Sequence, residues 1–428
     1  MIQTIRKAWG VPELRKKIVF TLLILLIFRI GNAIPVPYIN TTLLGNYLDS
    51  MSGTVLGLYN VMSGGAFAEA TVFALGVQPY INSSIIIQLL TIAIPALERL
   101  ARDGGEAGKK KIASITRYAT VAIALLQGFG YYMICKNYNI LEQQGIWPAL
   151  VIIVSFVAGS SFVMWLGEQV NEFGVGNGIS IILFAGILSR VPNMVTMGAS
   201  YIRTKGSIGY LWIALLIVGM LAMVVLIVHV NEAERRIPVQ YAKRQVGRKM
   251  YGGQSTHLPM KVNMSGVLPI IFAQSIASLP ATICAFVPKW QNGWVMKHIF
   301  DTTTWPYIVI YFLLIIFFSY FYSTIQFNPI EVANNLKKNG GFIPGFRAGK
   351  PTSEFIQKVL NKITLFGAIY LSVIAITPLI VSACSKAEQL TGISLGGTSI
   401  IIVVGVALET VRALEAQMLM RNYKGFLS

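Results

Sequence analysis

The stretch nearest to a recognised catalytic motif is Gly104-Gly105-Glu106-Ala107-Gly108-Lys109-Lys110. A phosphate loop needs two glycines with four residues between them, then Lys, then a Ser or Thr hydroxyl that holds Mg²⁺. Here the second glycine comes one residue early, and Lys110 stands where the hydroxyl must be. Nucleotide hydrolysis by that route is excluded. The chain has no H-E-x-x-H and no pair of aspartates inside an apolar run, so it is not expected to be an enzyme. Cys135, Cys284 and Cys384 lie too far apart for metal-ligand spacing. An odd, sparse set also argues against a disulfide framework, and the three read as small apolar filler. Neither a metal nor a cofactor is expected.

What the residues do offer is a repeated backbone signal. Gly76–Ile81 reads G-V-Q-P-Y-I inside the apolar run Thr71–Pro95, which is long enough to cross a bilayer. Gly266–Ile271 reads G-V-L-P-I-I inside a second run, Met264–Val287. Glycine adds backbone freedom, and proline removes a donor and crowds the preceding turn, so both runs are expected to be locally weakened helices. Interrupted membrane helices at matching places in two halves of a chain point to a path between the halves.

The elements that must position this signal are membrane spans. Of 428 residues, 54% are hydrophobic and 12% charged, which describes a polytopic membrane protein rather than a soluble domain. The net charge of +18 must sit in loops, because charge in hydrocarbon is costly. The first run, Ile18–Pro35, is too long for a signal-peptide core and lacks a small-residue cleavage site. Arg29 within it either faces protein or snorkels to the interface. Further spans are expected at 71–95, 116–135, 148–166, 178–191, 210–230, 264–287, 305–325, 363–383 and 396–411. That makes ten, five in each of two halves (1–205 and 206–428), and an odd number per half inverts the second half relative to the first. The expected fold is therefore an all-α polytopic membrane protein of two inverted five-helix halves. With the N-terminus inside, 27 of the 35 Lys and Arg residues fall on inside segments and 7 outside, Arg29 being the other. This asymmetry places both termini in the cytoplasm. The loop with Arg190, Arg203 and Lys205 runs against it.

Three segments do more than connect. Gly53–Phe67 is apolar, too short to span and punctuated by glycines, so it is either re-entrant or an amphipathic helix at the surface. Asn231–Asn263 and Gln326–Lys362 are inside loops of over thirty residues, where helix connections are usually short. Alternation at Val239, Tyr241, Thr256, Leu258, Met260 and Val262 suits a hairpin in the first loop. Both loops are basic, and long basic loops on one face suit a large anionic or acidic partner. Anionic lipid headgroups explain short flanking charges better than protruding loops.

Tyr241–Asn263, running on into G-V-L-P-I-I-F-A, closely resembles the SecY family, the channel subunits of the bacterial protein-export translocon. Ala74–Leu90, Gly176–Ile187 and Gly345–Thr352 match the same family, and the resemblance covers essentially the whole chain. It implies a protein-conducting pore between two five-helix halves in the plasma membrane. It implies an apolar pore ring at Val77, Ile81, Ile179, Leu183, Ile271 and Ile402; 77/81 and 179/183 are each one helical turn apart and so share a face. It implies that 53–67 is a re-entrant plug, with Gly53, Gly57, Asn60, Gly64, Gly65 and Phe67. A lateral gate for membrane segments is implied between spans two and three and spans seven and eight, with polar residues Asn82, Gln127, Gln274 and Ser275. Arg235, Arg236, Lys243, Arg244, Arg248 and Arg347 are implied as the docking surface for the ribosome or the SecA motor ATPase. SecE and SecG as small membrane subunits, signal peptides, nascent polypeptides and membrane lipids complete the implied partners. A secondary transporter shares inverted repeats but usually carries ionisable residues at mid-membrane, whereas these spans are almost uncharged centrally. A structural anchor for a cytosolic complex is the other alternative.

Overall fold

The computed structural model describes residues 2–50, 60, 63–241, 244–246, 249–251, 255–264, 266–286, 299, 304–385 and 397–424. In hydrocarbon a chain segment can pair its own peptide groups as a helix, and the apolar runs do so. The helices are α1 (Ile2–Trp9), α2 (Pro12–Gly31), α3 (Thr41–Ser50), α4 (Gln78–Ala93), α5 (Pro95–Arg102), α6 (Gly105–Asn137), α7 (Ile146–Phe173), α8 (Gly178–Leu188), α9 (Val191–Lys205) and α10 (Ser207–Glu232). After an extended region come α11 (Leu268–Phe286), α12 (Trp305–Gln326), α13 (Pro329–Lys338), α14 (Lys350–Ser385) and α15 (Gly397–Lys424). Among the described residues, six helices are long and apolar enough to cross a membrane, and a seventh span is the pair α4 and α5, bent by 106° at Ile94. The three other expected spans coincide with α2, α11 and α15.

The fifth span extends beyond its expected end. Gly178–Thr204 is one apolar stretch, and the segment expected as a loop at 191–205 is the helix α9. Arg29 lies exposed in the last turn of α2.

The repeated G-V-x-P-x-I is not a kink inside a helix. Gly76 and Gly266 have φ of +53° and +63°, a conformation that costs a side chain and not a glycine. The helices begin two residues later, at Gln78 and Leu268, with Pro79 and Pro269 in their first turns. There the missing N–H has no intrahelical acceptor to lose. The motif therefore starts a helix within the apolar layer, twice. With 16 residues α4 is about 24 Å long, short of the roughly 30 Å hydrocarbon core.

The missing length is supplied by the non-helical segment 63–77, whose backbone is paired inside the protein. Val36 N–H donates to the Ala70 carbonyl, and Val72 N–H to that of Ile34, each at 2.9 Å. Ser160 on α7 donates to the Gly76 carbonyl at 3.3 Å. A Cβ on Gly159 would lie 1.9 Å from the Val72 carbonyl oxygen, so only glycine lets α7 approach this closely. At the start of the segment, Asn60 Oδ1 accepts from Ala68 N–H at 3.0 Å, and the buried Tyr131 hydroxyl of α6 donates to the Phe67 carbonyl at 2.6 Å.

The two long basic loops fold together. β1 (Glu234–Tyr241) pairs antiparallel with β4 (Ser255–Lys261), as the alternation predicted, and β2 (Arg244–Val246) pairs with β3 (Lys249–Tyr251) toward the tip. β5 (Gly341–Phe342), from the second loop, adds to the other edge of β1. Ile237, Val239 and Met260 of the sheet pack on Ile343, Ile356 and Leu360.

Replacing Tyr131 by Phe removes the 2.6 Å bond to the buried Phe67 carbonyl and leaves it the longer 3.4 Å bond from Ala70 N–H, a loss of about 0.5–1.5 kcal/mol. Thermal unfolding of the detergent-solubilised protein should register that loss, and amide exchange over 63–70 should quicken. Unchanged exchange there would mean that Tyr131 does not hold the segment.

Candidate functional site

The six expected ring residues come from four helices and the turn that precedes one of them. Val77 precedes α4 and Ile81 sits one turn into it; Ile179 and Leu183 are on α8, Ile271 in the first turn of α11, and Ile402 on α15. Each is 8% exposed or less, and all six belong to one apolar cluster. Both G-V-x-P-x-I motifs contribute, because the turn that starts each helix carries the isoleucine into the cluster. Ile85, Ile182, Ile270 and Ile401 thicken the cluster around them. Sequence reading did not single these out, since isoleucine occurs throughout the spans.

Between 1–205 and 206–428, α6 touches α11, α15 touches α8 and α1, and α9 touches α10. Of the expected gate residues, Asn82 is on α4, Gln127 on α6, and Gln274 and Ser275 on α11. Asn82 Oδ1 is buried without a hydrogen-bond partner among the described residues. Polar links brace each half internally. Ser83 bonds Thr120 at 2.8 Å between α4 and α6, Arg117 pairs with Glu168 at 2.8 Å between α6 and α7, and Ser323 bonds Thr364 at 2.8 Å between α12 and α14.

Of the expected plug, Gly53 and Gly57 lie outside the described residues. Asn60, Gly64, Gly65 and Phe67 form its C-terminal base, next to the end of α8. Gly64 has φ of +73°, and a Cβ there would lie 2.6 Å from Ser189 Oγ and 2.7 Å from the Gly186 carbonyl oxygen. The Ser189 hydroxyl donates to the Gly64 carbonyl at 3.3 Å. Phe67 is buried edge-on against Tyr131, ring centroids 4.7 Å apart. Tyr131 and Ser189 were invisible as anchors from sequence because their partners are backbone carbonyls more than sixty residues away.

Three of the expected docking residues, Arg235, Arg236 and Arg347, are exposed on the joined loops. Arg235 and Arg236 are exposed on β1, and Arg236 pairs with Glu234 of the same strand. Arg244 opens β2, while Lys243 and Arg248 lie outside the described residues. Arg347 is exposed in a turn between Gly345 and Gly349, its carbonyl accepting from Thr352 Oγ1 at 2.7 Å. The phosphate-loop look-alike serves packing: a Cβ on Gly108 would lie 2.1 Å from the Leu100 carbonyl oxygen of α5. Among the described residues no cluster of His, Cys, Asp or Glu could hold a metal ion.

The family model of SecY matches residues 71–411. A protein translocase subunit SecY from Streptomyces coelicolor is 45% identical over the full length of both chains, and one from Aquifex aeolicus 42%. Among solved structures, one described as the structure of a protein conducting channel is similar with a TM-score of 0.63 at 16% identity, covering 94% of this chain and 92% of that one. Sec61 in the canine ribosome-channel complex from the endoplasmic reticulum gives 0.59 at 14% identity, over the same shares. By full-length identity to curated relatives and by the family match, the chain belongs to the SecY family.

Proposed function

We propose that this chain is the protein-conducting channel of an export translocon in the plasma membrane, with both termini in the cytoplasm. Unfolded secretory polypeptides pass between its halves, 1–205 and 206–428, and membrane segments leave sideways into lipid. Family membership supports the channel reading, and relatives named as translocase subunits support assembly with small membrane partners of the SecE and SecG type. The observation that carries the proposal is that Val77, Ile81, Ile179, Leu183, Ile271 and Ile402 are each 8% exposed or less and belong to one large apolar cluster drawn from both 1–205 and 206–428.

A channel wide enough for a peptide must not pass ions at rest. An apolar constriction opposes them, because a dehydrated ion finds no compensating ligand there and narrow hydrophobic passages exclude water. Side chains without hydrogen-bonding groups also cannot select among passing peptide sequences. In this reading 53–67 is the plug beneath the collar, hinged at Gly64 and Gly65. The seam of α6 against α11 is the lateral gate, where the unpartnered Asn82 oxygen favours opening toward a hydrogen-bond donor. With no nucleotide site of its own, the chain takes its driving energy from a partner, the SecA motor or the ribosome, docked on the joined basic loops. Ribosomal phosphates would make that docking strongly salt-dependent.

Two experiments test this. Ile402→Asn buries an unpaired amide in the closed collar at a cost of about 1–3 kcal/mol, which shifts the balance toward open about 5- to 150-fold. Single-channel recording in planar bilayers should show raised resting conductance, and precursors with defective signal sequences should be exported. A variant as tight as the parent would remove the ring from this reading. Arg347→Glu should lower motor-driven export about tenfold or more, the scale expected when a docking charge is reversed, while membrane insertion of the chain is unchanged. Lys110→Glu should do much less, and equal losses would mean that summed charge rather than a specific contact docks the motor.

A further inference from the structure

We propose that Arg412, Asn231 and Asn263 form a clasp that ties the root of the first docking loop to α15 and thereby positions Ile402 when a partner loads that loop. The inference rests on the docking reading above. α10 ends at Glu232, and the loop leaves through β1 and returns through β4 to α11. The last carbonyls of a helix lack intrahelical donors and form the negative end of its dipole. One of them, the carbonyl of Asn231, accepts from Arg412 Nη2 of α15 at 3.2 Å. The Asn231 side chain is engaged too: its Oδ1 accepts from Asn263 Nδ2 at 2.8 Å, and Asn263 is 9% exposed. Beside it, Val262 N–H donates to the Ala233 carbonyl at 3.0 Å. The outgoing and returning strands of the loop are thus pinned together, and the pin is held from a third element.

Arg412 is half-buried, and among the described residues no carboxylate pairs with it. Its charge is committed to the end of α10. Ile402 lies ten residues earlier on the same helix, about 15 Å along the axis. α15 also packs against α8, which carries Ile179 and Leu183. A load on the loop therefore meets a rigid helix that enters the collar, instead of fraying the end of α10.

The test uses proteoliposomes that hold the full chain with its small membrane subunits, supplied with the motor ATPase and an unfolded precursor. Two quantities are read: the motor concentration that half-saturates export, and the export rate at saturation. For Arg412→Ala the first should stay within about twofold of the parent and the second should fall about tenfold, inside the range of site-to-site couplings. Arg412→Lys should keep most of the rate, because an ammonium can donate to the same carbonyl. Asn263→Ala should lower the saturated rate without moving half-saturation, and combining it with Arg412→Ala should add little, as for residues acting through one contact. If Arg412→Ala does not accumulate in the membrane, Arg412→Lys and Asn263→Ala carry the same two readouts. Weakened half-saturation with an unchanged saturated rate would make Arg412 a docking residue and overturn the proposal. So would unchanged values throughout, or strictly additive losses. A parent channel that binds no motor would defeat the docking reading instead.

Discussion

A peptide group left unpaired in hydrocarbon costs several kcal/mol, and the rest of this structure follows from how that cost is avoided. Most of the chain avoids it with helices. Among the described residues, 63–77 leads into an apolar span without being helical and therefore must be enclosed. Gly159 lets α7 press against it, Ser160 and Tyr131 bond its carbonyls, and residues 34–36 pair with its edge. Because the segment is enclosed, α4 can begin within the apolar layer and still bury Val77 and Ile81 in the central cluster. The same turn at Gly266 does this for Ile271 in the other half.

Charge is distributed by the same constraint in reverse. The excess of +18 cannot enter the spans, so it collects on segments that water reaches. The two largest are not independent loops, because β5 of one completes the sheet of the other over a small apolar core of Ile237, Val239, Met260, Ile343, Ile356 and Leu360. Exposed arginines on such a base have fixed relative positions, which a flexible loop could not provide. A surface of that kind suits a large partner that must push or feed polypeptide toward the collar, and Arg412 offers it a route to α15.

The helices were legible because twenty apolar residues have few alternatives in lipid, and the β1–β4 hairpin because strand alternation is local. G-V-x-P-x-I was legible as a pair of interruptions but not as helix starts. Proline in a first turn and proline in mid-helix look alike until the first hydrogen bond is located. The β1–β5 pairing joins Gln240 to Phe342 across a hundred residues, and two-residue strands carry no pattern. The ring residues are expected only through family motifs, since isoleucine and valine at helical spacing ordinarily mean packing. Arg412 passed as one more cation flanking a span, because its acceptor is a backbone carbonyl and backbone leaves no trace in side-chain identity.

Water access to the collar is the most direct measurement. Single cysteines at Val77, Ile81, Ile179, Leu183, Ile271 and Ile402 in a cysteine-free chain would be exposed to a membrane-impermeant thiol reagent, first from one side of the membrane and then from the other. A dry seal predicts no labelling of any of the six at rest, and labelling once a precursor is arrested in transit. Labelling at rest, at two or more of these positions, would contradict a closed apolar collar at the meeting of the two halves.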